Sequence, residues 1–170
     1  MTNLPSGLTE VNQNWCLTFR GSAQQVTGRG YAWSSAGLTV RFMRGRKMRH
    51  YDPLFDEFAA ALQFPWYFGA NGNAFDECIT DLSWLPPGIG YVFVLTDPAE
   101  TLADTDDGGL AWLVRSLSRA VAGWGRPVEA GSQWDRPSVP LHVVLQADES
   151  TEERVRAIWA AAGAPLGSIE

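Results

Sequence analysis

Apolar residues fall along the chain in two kinds of pattern. Leu38-Thr-Val-Arg-Phe-Met43 begins as an alternation of apolar and polar positions, the mark of a half-buried strand. Tyr91-Val-Phe-Val-Leu95 and Leu141-His-Val-Val-Leu145 are short, nearly continuous apolar runs, as in strands covered on both faces. Between them lie stripes at helical spacing: Leu54, Phe55, Phe58, Ala59 and Leu62; then Ala74, Phe75, Cys78, Ile79 and Leu82. A third stripe is Leu110, Leu113, Val114, Leu117 and Val121, and a fourth is Val155, Ile158, Trp159 and Ala162. Phe64-Pro65, Pro86-Pro87-Gly88 and the Gly/Pro-rich stretch 125–139 separate these elements. Ser150-Thr-Glu-Glu153 has the form of a capping box opening the last helix.

The resulting order, β-α-α-β-α-β-α, predicts an α/β fold with a small, mainly parallel sheet flanked by helices. Trp15–Phe19 has β-favouring character, and glycines punctuate the stretch that follows, so residues 15–36 are expected to add one or two strands. The organisation expected is a central unit over 38–146, an N-terminal extension over 1–37 packed on its core, and a C-terminal helix over 147–170 packed on the same domain.

Composition narrows the class. The 170 residues are 45% hydrophobic and 19% charged, which is globular and not disordered. No apolar run approaches the roughly 18 residues that span a bilayer, and Met1–Gln13 has neither a basic nor an apolar leader segment. Cys16 and Cys78 are read as free thiols of a cytoplasmic protein. His50 and His142 do not form a metal-ligand pattern, and no cofactor is expected.

Charge is unevenly spread. The 65 residues from His50 to Val114 contain eleven Asp and Glu and no Lys or Arg. Such a segment would make a negative field that draws a basic partner and repels nucleic acid. Just before it, Arg41, Arg44, Arg46, Lys47 and Arg49 crowd nine positions. They are read as flanking the first strand, paired with acids or guarding an edge, in preference to a nucleic-acid patch.

Catalytic signatures are missing: the sequence holds no Walker-A loop, GxSxG, HExxH or CxxC. The chemistry lies instead on the second helix. Asn73, Glu77 and Asp81 are spaced i, i+4, i+8 and share the face opposite the apolar stripe, with Asp76 and Thr80 beside them. The preceding loop brings Trp66, Tyr67, Phe68, Gly69, Asn71 and Gly72 to the start of this helix. Aromatics beside an acidic helix suit a basic, concave partner.

The segment Phe64-Pro-Trp-Tyr-Phe-Gly-Ala-Asn-Gly-Asn-Ala-Phe-Asp-Glu-Cys-Ile-Thr80 resembles the signature of the barstar family, in which an aromatic-Gly-x-Asn loop leads into an acidic helix. The resemblance spans about residues 38 to 146. It implies a barstar-like fold, carrying here extra N-terminal strands and an added C-terminal helix. It also implies a non-catalytic inhibitor or immunity protein that occludes the active site of a cognate ribonuclease in a 1:1 complex. Tyr67, Gly69 and Asn71 match the family loop, Glu77 takes the place of its key helix carboxylate, and Cys78 matches a structural cysteine. Departures point to a different target. Asn73 replaces a second acid, Gly72 an apolar contact and Asp76 a Trp, while the acid of the third helix has no counterpart, Arg119 lying nearest. Two other readings stay open: a scaffold of the same type that binds a non-nuclease protein, and an enzyme using Asp76, Glu77 or Asp81 in acid–base work.

Overall fold

The computed structural model describes residues 6–170, so the first five residues of the 1–37 extension lie outside the described residues. The elements are β1 (Cys16–Arg20), α1 (Ala23–Ser35), β2 (Thr39–Arg44), α2 (Tyr51–Leu62), α3 (Gly72–Asp81), β3 (Tyr91–Thr96), α4 (Gly109–Trp124), β4 (Leu141–Ala147), α5 (Glu152–Ala161) and β5 (Leu166–Ile169). The five strands form one sheet in the order β2-β3-β4-β1-β5, and every pairing is parallel. The α/β architecture read from the sequence is therefore present.

Two stretches differ from the sequence expectation. Residues 15–36 are one strand followed by a helix. Ser22 caps that helix by accepting from the Gln25 N–H, and the Gln25 side chain returns the bond to the Ser22 N–H. Gly28 and Gly30 lie inside the helix, and Gly30 lets the Phe42 ring of β2 press against its backbone. At the other end, β5 follows α5 and pairs with β1, a strand too short for its pattern to announce. The expected capping box at 150–153 is also absent as such: the N-cap Thr151 side chain makes no capping bond, and Asp148 Oδ1 accepts the N–H groups of Ser150 and Thr151.

Strand alternation sorts the core into two layers. Tyr91, Phe93 and Leu95 of β3 and Leu141, Val143 and Leu145 of β4 meet the apolar stripes of α2, α3, α4 and α5. Val92, Val94 and Val144 turn the other way, toward Val26 and Trp33 of α1. The central strands are thus covered on both sides, which is why their sequences lack a polar alternate.

Three of the five residues in the basic cluster around β2 pair with acids of the Lys/Arg-free segment. Arg44 forks onto Glu57 at 2.8 and 2.9 Å, Arg46 meets Asp97 at 3.3 Å, and Arg49 binds Asp104 at 2.6 Å as well as Glu100. The hydrogen bonds from Arg44 hold the Glu57 carboxyl below its ordinary range, and those from Arg49 do the same for Asp104. These pairs offset part of the segment's negative charge.

Candidate functional site: an acidic helix and its aromatic loop

Helix α3 is fixed from three directions. Phe75 is fully buried and contacts Phe58 of α2 at 5.1 Å, Phe55 at 5.8 Å and Trp112 of α4 at 5.4 Å between ring centroids. Trp124 of α4 donates its indole N–H to the Ile79 carbonyl at 3.2 Å. The N-terminus is closed by Asn71, whose Oδ1 accepts from the Ala74 N–H at 3.0 Å while its Nδ2 donates to the Gly69 carbonyl at 3.2 Å. Asn71, placed by the sequence among the partner-binding residues, is thus engaged in building the helix and the turn before it.

The loop from Phe64 divides its aromatics. Phe68 turns inward onto Phe64 at 4.9 Å and Phe55 at 6.1 Å. Trp66 and Tyr67 point out, 95% and 65% exposed, edge to face at 5.9 Å. Gly69 lies exposed beside them, and Gly72 sits against the Trp112 indole, which shields the first turn of α3. Asn73, Glu77, Thr80 and Asp81 form the exposed face of the helix. The Thr80 hydroxyl is directed back onto its own helix, toward the Asp76 and Glu77 carbonyls.

Asp76 differs from its neighbours. Its Oδ2 accepts from Arg119 Nη2 of α4 at 2.8 Å, and its other oxygen is buried without a hydrogen-bond partner. Among the described residues no such ion pair is made by Glu77 or Asp81. The outward charge of α3 therefore resides on these two carboxylates. Their field reaches the inner side of the helix: burial, with Asp81 and Glu77 adding to it, pushes the Cys78 thiol up. Cys78 and Cys16 are both free and buried, and burial raises the Cys16 thiol to about 12.

Sequence reading missed two parts of this region. Trp112 and Arg119 belong to α4 but complete the α3 surface, a relation that helical spacing alone does not reveal. Trp134, 68% exposed, stands on the 125–139 connection beside the C-terminal end of α3. Its one sequence signal was a large aromatic isolated among Gly, Ser and Asp.

An α/β protein that presents two unpaired carboxylates and two bare aromatics from a rigid helix and loop has the make-up of a binding module. The family model described as Barstar (barnase inhibitor) matches residues 38–146, and the chain belongs to that family. Among curated proteins, no sequence matches it. Solved structures with a similar fold include an Aeropyrum pernix ORC2 protein in ADPNP–ADP complexes (TM-score 0.58, 14% identity, 95% of this chain and 42% of that one). Another is Drosophila ORC bound to AT-rich DNA and Cdc6 (TM-score 0.50, 12% identity, 94% and 49%). A third is Drosophila ORC bound to DNA (TM-score 0.51, 13% identity, 96% and 82%). The chain spans about half or less of the length of the first two. These likenesses concern the fold alone.

Proposed function

We propose that this protein is a non-catalytic inhibitor, an immunity protein that binds a basic nuclease 1:1 and occludes its active site with α3 and the loop before it. The intended partner is a ribonuclease toxin, secreted or carried on a larger toxin, and the inhibitor acts in the cytoplasm of the cell that makes it. One observation carries the reading: Glu77, at the family's key acidic position, is exposed, without an ion pair among the described residues, on a helix fixed by Phe75, Asn71 and Trp124.

The chemistry is direct. A ribonuclease binds a polyanion and must line its site with cations. A carboxylate held on a rigid helix can occupy a phosphate subsite at little cost in side-chain or backbone ordering. Trp66 and Tyr67 supply apolar area next to it and exclude water from the ion pair. The altered neighbours, Asn73, Gly72 and Arg119, favour a target other than barnase itself.

The test is RNA hydrolysis by a panel of small basic microbial ribonucleases, barnase included, titrated with the wild-type protein and with Glu77→Lys. Stoichiometric inhibition of at least one enzyme is expected. Reversing the charge should cost about 2–5 kcal/mol, a loss of roughly thirtyfold or more. Full inhibition by the variant, with its circular dichroism unchanged, would remove Glu77 from the interface. A second reading, the same scaffold turned to a non-nuclease protein, is favoured by the Asp76–Arg119 pair, which neutralises part of the acidic face. It would be preferred if no ribonuclease in the panel were slowed.

A further inference from the structure

We propose that the binding face continues past the C-terminal end of α3 into a second subsite. There a protruding loop of a basic protein partner inserts an apolar side chain flanked by a Lys or Arg. This deepens the inhibitor reading and rests on it. The subsite is a groove of about 490 Å³ bounded by Asp81, Leu85, Pro87, Tyr91, Trp124 and Trp134.

Three observations support this assignment. The first is continuity: Thr80 and Asp81 belong both to the exposed face of α3 and to the groove wall, so one partner can cover both. The second is the way Trp134 is held. Val128 and Arg136 exchange backbone hydrogen bonds at 2.8 and 3.0 Å, which closes the loop as a small hairpin. Within it the Asp135 carboxylate accepts the N–H groups of Ala130, Gly131 and Ser132 at 2.8, 2.9 and 3.2 Å. Arg136 lies over the Trp124 ring at 4.2 Å and donates to the carbonyls of Gly123, Trp124, Arg126 and Pro137. Its guanidinium is therefore held against the loop and forms part of the groove wall. The backbone that carries the exposed indole is thus ordered before binding, which lowers the ordering cost of using it as an interface anchor. The third is charge. Asp81 is an exposed carboxylate beside an apolar groove and has no ion pair among the described residues, so it selects a cation next to the inserted group.

The experiment uses the full chain, ¹⁵N-labelled, titrated with acetyl-Arg-Phe-amide and, in parallel, acetyl-Glu-Phe-amide. The readout is the indole N–H signal of Trp134 and the amide of Asp81, with no nuclease present, so it is independent of whether any ribonuclease is inhibited. The cationic peptide should shift both signals saturably. Trp134→Ala, read at Asp81, and Asp81→Asn, read at Trp134, should each weaken binding at least about fivefold. Equal binding of the acidic peptide would overturn the role of Asp81. Absence of shifts at both positions, or wild-type affinity in Trp134→Ala, would overturn the subsite, even in a protein whose Glu77 proves essential for ribonuclease inhibition.

Discussion

Arg119 of α4 stands 2.8 Å from Asp76 of α3, so α4, which carries no acid, offers a cation that pairs with an acid of the neighbouring helix. The pair is partly exposed, 63% on the Arg119 side. Surface pairs of this kind contribute about 0–1 kcal/mol. Arg119→Ala should therefore cost no more than about 1 kcal/mol in urea unfolding, while raising the outward negative charge of α3. Inhibition of a sensitive ribonuclease should be retained or improved. Asp76→Asn should weaken it much less than Glu77→Lys does. A stability loss of about 3 kcal/mol or more in Arg119→Ala would instead mark the pair as effectively buried.

The cap at Asn71 links stability to binding. Asn71→Ala removes the acceptor for the Ala74 N–H and should destabilise the protein by about 1 kcal/mol. Asn71→Asp keeps the acceptor and should restore most of that loss. If both variants inhibit like wild type, the orientation of the first turn is unimportant to the partner; a deficit in the Ala variant alone is the expected result in the ribonuclease titration.

Phe75 is the anchor through which α2 and α4 position the acidic face. Truncation to Ala leaves a cavity among four aromatic rings and should cost about 3–5 kcal/mol, measured by denaturant unfolding. Phe75→Leu should cost distinctly less. The Leu variant should keep its secondary structure, and loss of ribonuclease inhibition beyond its stability loss would show that α3 must be held in place to act.

Acid should unfold the protein in two stages. His142 is buried in β4 and bonded through Nε2 to the Glu10 carbonyl; burial holds its pKa below the ordinary value, outweighing the backbone groups of Glu10 and Trp15. Its neutral form is the one the fold accepts. Stability is thus full above the unfolded value of about 6.5 and falls as pH drops through the window between that value and the lower folded one. Glu57, Asp104, Asp135 and Asp148 are all held below their usual range by hydrogen bonds, so what they contribute is present above about pH 4 and lost as pH falls further. Melting temperatures from pH 8 to 3 should show both limbs. In His142→Gln the first limb should vanish and the second remain.

The elements legible in the sequence were those whose burial leaves a simple period. The continuous runs at Tyr91 and Leu141 became the strands covered by helices on both sides, and the four apolar stripes became α2 to α5. Helix α1 was hidden by two glycines and a weak apolar stripe, although Ser22-Ala-Gln-Gln25 carries the capping-box spacing that would have revealed it. The acidic face was likewise legible, because residues four apart on one helix share a side whatever surrounds them. Which acid is left without an ion pair was not. That depends on Arg119, brought in from another helix. The bracing of the Trp134 loop by Asp135 and Arg136 is likewise a tertiary relation without a sequence period.

The position of β1 sets an order of events during synthesis. Its Cys16 lies opposite Val143 on one side and Leu166 on the other, so the earliest strand is bonded only to the two latest. Until β4 has left the ribosome, β1 has no partner in the sheet, and β4 in turn exposes a bare edge until β1 arrives. The sheet therefore closes only after β4 and β5 have been made, and such long-range parallel pairing is slow. In the role proposed above, the protein would have to be made in advance of its target.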